Sequence, residues 1–305
     1  MASPVATYLG YVAVATLVWV VADWIICLAA SQCSRTFVKR ASRTIRERGR
    51  WRSRLVSTAH AIYGSCAAAY VILFRPWTPD ESLFSTEPLK MMLLAGSVGY
   101  FVFDTYVMLV YQEKEVAYYL HHAVVGGGML IAMLSEFCAF AFVAMTINEF
   151  TTPMLNMAWI MNRMRLNHST LFKVNGVVIA VGFFCARICF NLFIAYHYLS
   201  PDTLAHFPAP IGNTPTTLGV SAIAIFFFPL YFLYLGTNFF WFAKLVKEVR
   251  SFVRGEASAA LDDESDGELH LMGGDTDVEE EEEEADDIVK PRRSARLRRS
   301  TAEAR

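Results

Sequence analysis

Seven ionisable side chains stand inside long apolar stretches of this 305-residue chain: Asp23, His60, Asp104, the adjacent His121 and His122, Glu149 and Arg187. Such a group costs about 2.5–3.5 kcal/mol in the middle of an apolar helix on insertion scales, so each position carries information. An imidazole beside a carboxylate can act as a general base or accept an acyl group on its ring nitrogen. Neighbouring histidines project about 100° apart on a helix. One of His121 and His122 can therefore line a cavity while the other orients it or reaches another helix. The residues expected to carry such chemistry are His121, His122, Asp104 and His60. An interhelical hydrogen-bond lattice without a reaction uses the same residue types, and that alternative stays open. A metal centre is not expected, because a di-iron site wants H-x-x-H-H runs and only His60, His121 and His122 share this level.

Further polar residues surround these groups. Glu149 and Arg187 are expected to pair near the membrane midplane, since an unpaired buried charge is far more costly. Asn148, Thr152 and Asn156 follow at i, i+4 and i+8 and should share one helix face, with Pro153 kinking the helix. Arg187 and Asn191 should share another face. Gly126, Gly127 and Gly128 lie one turn beyond the histidines and permit close approach of a helix or an acyl chain. Glu149, Asn156, Arg187, Asp23 and Arg54 are expected to bind substrate or to hold the structure around it.

The elements that must position these residues are membrane-spanning helices. Hydrophobic residues make up 54% of the chain, and apolar stretches run at roughly 5–30, 55–74, 89–111, 116–134, 138–160, 174–199 and 217–243. Each can cross about 30 Å of hydrocarbon at 1.5 Å per residue, and helices alone satisfy an isolated backbone there. The first stretch is not expected to be a cleaved signal, because MASPVATYL has no positive charge and the apolar span is too long. The fold class is therefore all-α: a polytopic membrane protein with about seven spans.

Lys and Arg set the expected orientation. Nine lie between Arg35 and Arg54; Lys114, Arg163, Arg165, Lys173, Lys244, Lys247, Arg250 and Arg254 fall on the same side. The opposite side has Arg75 and Lys90, beside Asp80, Glu81 and Glu87. The N-terminus is thus expected in the lumen and the C-terminus in the cytosol, and the sequon at Asn167 should remain unmodified. On that frame Asp23, His60, Asp104, His121 and His122 all fall roughly 5–8 Å to the cytosolic side of the midplane. The domains expected are an N-terminal helix (1–34), a basic cytosolic loop (35–50), a helical domain (51–245) and a tail (246–305). Residues 256–287 hold sixteen acids and no Lys or Arg, and KPRRSARLRRS follows, so the tail is expected to be disordered. The six cysteines sit in or beside apolar stretches without a CxxC pair, which makes a disulfide framework or zinc ribbon unexpected.

The segments WRSRLVSTAHAIYG, GYFVFDTYVML, YYLHHAVVGGGML, NEFTTPMLNMAW and ARICFNLF, taken in order, resemble the TLC domain shared by Lag-type ceramide synthases, TRAM translocon proteins and CLN-type lipid-homeostasis proteins. The likeness covers about residues 50–245 and implies a six-helix bundle preceded by the N-terminal helix. The family motif falls on Trp51, Arg54, Ser57, His60, Asp104, His121, His122, Glu149, Pro153 and Asn156, with Arg187 on the following helix. In ceramide synthases the histidine pair is implicated in fatty-acyl transfer from acyl-CoA, which the resemblance places on His121 and His122. Their later H-D-x-x-D run is replaced here by INEFTTPMLNMAW. The chain thus looks more like the TLC-domain-containing transmembrane proteins that are not ceramide synthases.

What this implies is an endomembrane protein of lipid homeostasis, in the endoplasmic reticulum or a related membrane, that binds or transfers a fatty acyl chain. Its partners would be membrane lipids and acyl-CoA as a substrate, with no separate cofactor and no nucleic acid. The basic 35–54 region would attract CoA phosphates or anionic headgroups, or simply set topology. The alternative is a non-enzymatic lipid or protein carrier in which the polar layer is structural. A seven-helix receptor is excluded by its missing signatures: VYQEKE closes the third stretch and TNFFWF occupies the seventh.

Overall fold

A computed structural model of the chain describes residues 4–84, 86–206 and 215–253. Among these residues every regular element is helical. The long helices are α1 (Pro4–Cys33), α3 (Ile45–Phe74), α5 (Pro88–Val110), α6 (Val116–Ser135) and α12 (Pro215–Val253). Shorter ones are α2 (Arg35–Ala41), α4 (Pro79–Phe84), α7 (Ala139–Met145), α8 (Thr152–Arg163), α9 (Thr170–Phe183), α10 (Phe190–Tyr198) and α11 (Pro201–Ala205). A 3₁₀ turn at Thr146–Thr151 joins α7 to α8, and a π-helical turn at Phe184–Cys189 joins α9 to α10. Four helical segments among the described residues are long and apolar enough to cross a membrane: Pro4–Cys33, Ile45–Phe74, Pro88–Val110 and Thr170–Tyr198. The protein is an all-α, polytopic, integral membrane protein.

The expected basic loop at 35–50 is instead helical. It comprises α2, a short turn, and the first residues of α3, which starts ten residues before its apolar stretch. The reason is local: Thr44 and Glu47 form an S/T-x-x-E start, and Thr44 Oγ1 accepts a hydrogen bond from the Glu47 N–H at 3.0 Å. At the other extreme, α12 runs on to Val253, so the first residues of the expected tail are helical. The acidic and basic remainder lies outside the described residues.

α1 lies along α5 and turns a narrow stripe inward. Its buried residues Tyr8, Trp19 and Asp23 are spaced at i, i+11 and i+15, which returns to one face at 3.6 residues per turn. Val14, Leu17, Val21 and Trp24 remain exposed, as a lipid-facing surface should. Trp19 Nε1 donates to the Gly96 carbonyl at 2.8 Å, and a Cβ at Gly99 would stand 2.7 Å from the Thr16 backbone nitrogen. Backbone contact of this kind leaves nothing flexible to yield. Gly99→Ala is therefore expected to lower the melting temperature in detergent, at an overpacking cost of about 1–3 kcal/mol. Gly127→Ala, where a Cβ meets nothing within 4 Å, should cause no loss in the same thermal melt.

The end of the molecule away from the Arg-rich segments is closed by α4. Ser82 is fully buried; its hydroxyl lies 3.1 Å from His197 Nε2, and its carbonyl accepts from the Tyr198 hydroxyl at 2.9 Å. Arg75 and Lys90 are gathered there with Glu81 and Glu87 in one ion network, with Lys90 wholly buried over the Phe140 ring. Opposite charges at one buried end neutralise one another, which is the condition for placing them there.

Candidate functional site

The bundle encloses one cavity that collects the ionisable residues of several elements. Its polar lining comprises His60 of α3, His121 of α6, Asn148 and Glu149 of the 3₁₀ turn, Arg187 of the π turn and Tyr234 of α12. The remainder is apolar, including Phe137, Ala141, Met145, Ile194 and Phe228. At its margin Val124 of α6 and Phe232 of α12 are exposed, so this side faces outward on an apolar rim.

The two irregular turns bring the acid and the base inward. Pro153 has no N–H to continue the ladder, and the six residues before the start of α8 wind as 3₁₀ rather than α. Each 3₁₀ step rotates about 120° instead of 100°, so roughly 60–80° accumulates between Asn148 and α8. The expected common face of Asn148, Thr152 and Asn156 is lost for this reason. Asn148 points to Asn191 and to the Tyr234 hydroxyl, with a 2.9 Å hydrogen bond to the latter, while Asn156 turns to α3. In the next span the π turn carries Arg187 to the cavity, and Asn191 Nδ2 donates to its carbonyl at 2.9 Å.

Glu149 and Arg187 share the cavity but do not form the expected ion pair. Thr152 Oγ1 donates to Glu149 Oε2 at 2.7 Å, Arg187 Nε donates to Thr151 Oγ1 at 3.3 Å, and the guanidinium lies over the Phe183 ring at 5.3 Å. Each charge thus has its own support and still faces the cavity.

The histidine pair divides as two adjacent helical positions must. His121 lines the cavity, whereas His122 turns towards α5. His122 Nε2 lies 3.5 Å from Asp104 Oδ2 and its Nδ1 lies 3.0 Å from Thr105 Oγ1. The Thr105 hydroxyl donates to the Phe101 carbonyl at 2.7 Å, so it accepts from His122 Nδ1–H. The proton between His122 and Asp104 then resides on Nε2 or on the carboxyl. Ser53 Oγ donates to Asp104 Oδ1 at 3.0 Å. Asp104 and His122 are accordingly a positioning pair behind His121. His60 stacks on Tyr100 at 3.8 Å and approaches Ser97 Oγ at 3.3 Å, reaching the cavity from an aromatic wall.

Three expected residues lie elsewhere. Asp23 is not level with the histidines: Arg52 holds it through a bidentate contact and bridges onward to Tyr111. Arg54 and Asn156 form a clamp between α3 and α8. Asn156 Nδ2 has the Arg54 carbonyl, Ser57 Oγ and Thr58 Oγ1 within 2.8–2.9 Å, and Arg54 Nη1 reaches Asn156 Oδ1 at 3.3 Å. Tyr234 lies beyond sequence reasoning; a tyrosine in an apolar run gives no signal of which way it faces. Among the described residues no group of three or more metal-ligating side chains is assembled.

A family model described as the TLC domain matches residues 50–247. A TLC domain-containing protein of Schizosaccharomyces pombe is 23% identical over 206 residues, 68% of this chain and 67% of its own. TLC domain-containing protein 4-B of Xenopus laevis is 27% identical over 47% of this chain and 56% of its own. The human TLC domain-containing protein 4 is 23% identical over 45% and 54%. The chain thus spans between about half and two thirds of the length of these relatives. No solved structure matches.

Proposed function

Since this chain belongs to the TLC domain family, associated with membrane lipid metabolism or homeostasis, we propose that it binds a fatty acyl chain of a membrane lipid in the central cavity. The observation that carries this reading is the composition of the cavity wall. His121, Glu149 and Arg187 stand with Asn148 and Tyr234 in an otherwise apolar lining, as the polar head and the chain of an amphiphile require. The apolar rim at Val124 and Phe232 lets such a ligand arrive from the bilayer.

His121 is the imidazole that meets the ligand's polar end. In an acyl transfer it would take the acyl group on its free nitrogen, expelling the thiolate of acyl-CoA or a lipid alkoxide, with Asp104 and His122 fixing the helix behind it. In a carrier the same imidazole only hydrogen-bonds the head. The protein is assigned to the endoplasmic reticulum or a related endomembrane with its C-terminus in the cytosol. A glycan on Asn167 would reverse that orientation.

A photoactivatable fatty acid added to the purified protein in nanodiscs tests the binding reading. Wild type is expected to be labelled at cavity residues, with excess unmodified fatty acid competing. Ala141→Phe places a ring in the cavity and should cut labelling at least fivefold while the helical circular dichroism is kept. Labelling that is unchanged in Ala141→Phe, or confined to lipid-facing positions such as Leu17 and Trp24, would dismiss the cavity as the binding site.

A further inference from the structure

We propose that the acidic segment 256–287 folds back onto the Arg-rich end of its own chain and occupies the exposed cations there. α2 and the last turns of α12 belong to the same end of the molecule. Phe37 of α2 packs on Trp51 of α3, and Trp51 packs on Trp159 of α8, with ring centroids 6.0 and 5.0 Å apart. Ala158 of α8 in turn shares a cluster with Ile179 of α9 and Leu245 of α12. Arg35, Lys39 and Arg43 are exposed on one flank of this end, and Lys244, Lys247 and Arg250 on the other.

The acids of this end are already engaged by inner cations. Asp23 is held by Arg52, Glu47 by Arg163 at 3.2 Å, and Glu113 by Arg50 at 3.4 Å. The outer cations therefore create a positive field that acids on the described surface do not cancel. The missing charge is in the sequence. Residues 256–287 carry sixteen acids and no Lys or Arg, and they begin three residues after α12 ends at Val253. The basic end of the tail, 290–299, holds six Lys and Arg, so it can neutralise six of the sixteen and leaves ten. At about 3.3 Å per extended residue the segment can reach both flanks. Tethering by so short a connection gives it an effective concentration in the millimolar range, ahead of a soluble anion at micromolar concentration. The face that would draw CoA phosphates or anionic headgroups thus has an occupant on its own chain. This assignment rests on charge and chain connection alone, and stands or falls apart from the cavity's ligand.

Zero-length carbodiimide coupling joins carboxylates to amines in contact and reads the arrangement directly. The full chain in phosphatidylcholine nanodiscs at low salt should give mass-spectrometric links from 256–287 to Lys39, Lys244 or Lys247. These links should fall at least fivefold at 1 M salt, where the Debye length is about 3 Å. Changing Glu279, Glu280, Glu281, Glu282, Glu283 and Glu284 to Gln should reduce them to a similar degree. In nanodiscs with added phosphatidylglycerol the links should persist within twofold. Their loss there would give the face to the membrane surface and overturn the proposal. Coupling confined to Lys290, or found only between differently isotope-labelled copies, would overturn it as well.

Discussion

His121→Gln is expected to keep the melting temperature of the purified protein within measurement error and to abolish the rescue of membrane lipid composition in a deletion strain. The expectation follows from where the ring stands. His121 faces the cavity, and the polar contacts that fix this stretch of α6 are made by its neighbour His122 instead. An amide can keep a hydrogen bond to a lipid head, but it cannot take up a proton near pH 7 or carry an acyl group. His122→Gln should behave in the opposite way. It disturbs the link to Asp104 and Thr105, so it should lower stability by about 0.6–2 kcal/mol, the range of interhelical polar contacts in membranes, and leave partial rescue. The measurement is paired, melting behaviour and whole-cell lipid profiles for each variant. Full rescue by His121→Gln would remove chemistry from the site and leave the carrier reading. Loss of rescue by His122→Gln alone would exchange the roles of the two rings.

Much of this arrangement is legible in the sequence because the membrane makes polar residues conspicuous. A histidine or carboxylate in a run of twenty apolar residues is costly, and His60, Asp104, His121, Glu149 and Arg187 are brought around or directly behind one cavity. Spacing alone misplaces what depends on irregular backbone. A face shared by Asn148 and Asn156 assumes 3.6 residues per turn through a segment that winds as 3₁₀, and Pro153 marks the place without telling its winding. The π turn at Phe184–Cys189 has no sequence signature, yet it carries Arg187. Depth counting also puts Asp23 with the histidines, because it ignores Arg52, whose long side chain reaches back from the start of the next long helix. The charge of the Arg-rich segment suggests a loop, although Thr44 and Glu47 already announce a helix start.

Asn156 belongs to the scaffold, and replacing it should cost stability without touching lipid binding at temperatures where the protein is folded. Its amide is buried and meets the Arg54 carbonyl, Ser57 and Thr58 within 2.8–2.9 Å, so a single side chain fastens α8 to α3. At about 0.6 kcal/mol for an average interhelical hydrogen bond, and with an unsatisfied buried carbonyl left behind, Asn156→Ala should lose about 2–3 kcal/mol. Asn156→Asp should lose more, since it removes both amide donors and sets an acceptor against three acceptors. Arg187→Met gives the contrasting pattern. It leaves Thr151 with its own bond to the Asn148 carbonyl but strips the cavity of its cation, so photoactivatable fatty acid labelling should fall severalfold. Thermal melts and labelling on the same preparations separate the two. A drop in labelling for Asn156→Ala well below its melting temperature would move the clamp into the site. Unchanged labelling in Arg187→Met would mean that the cation does not meet the ligand's head, and Glu149 with His121 would then have to hold it.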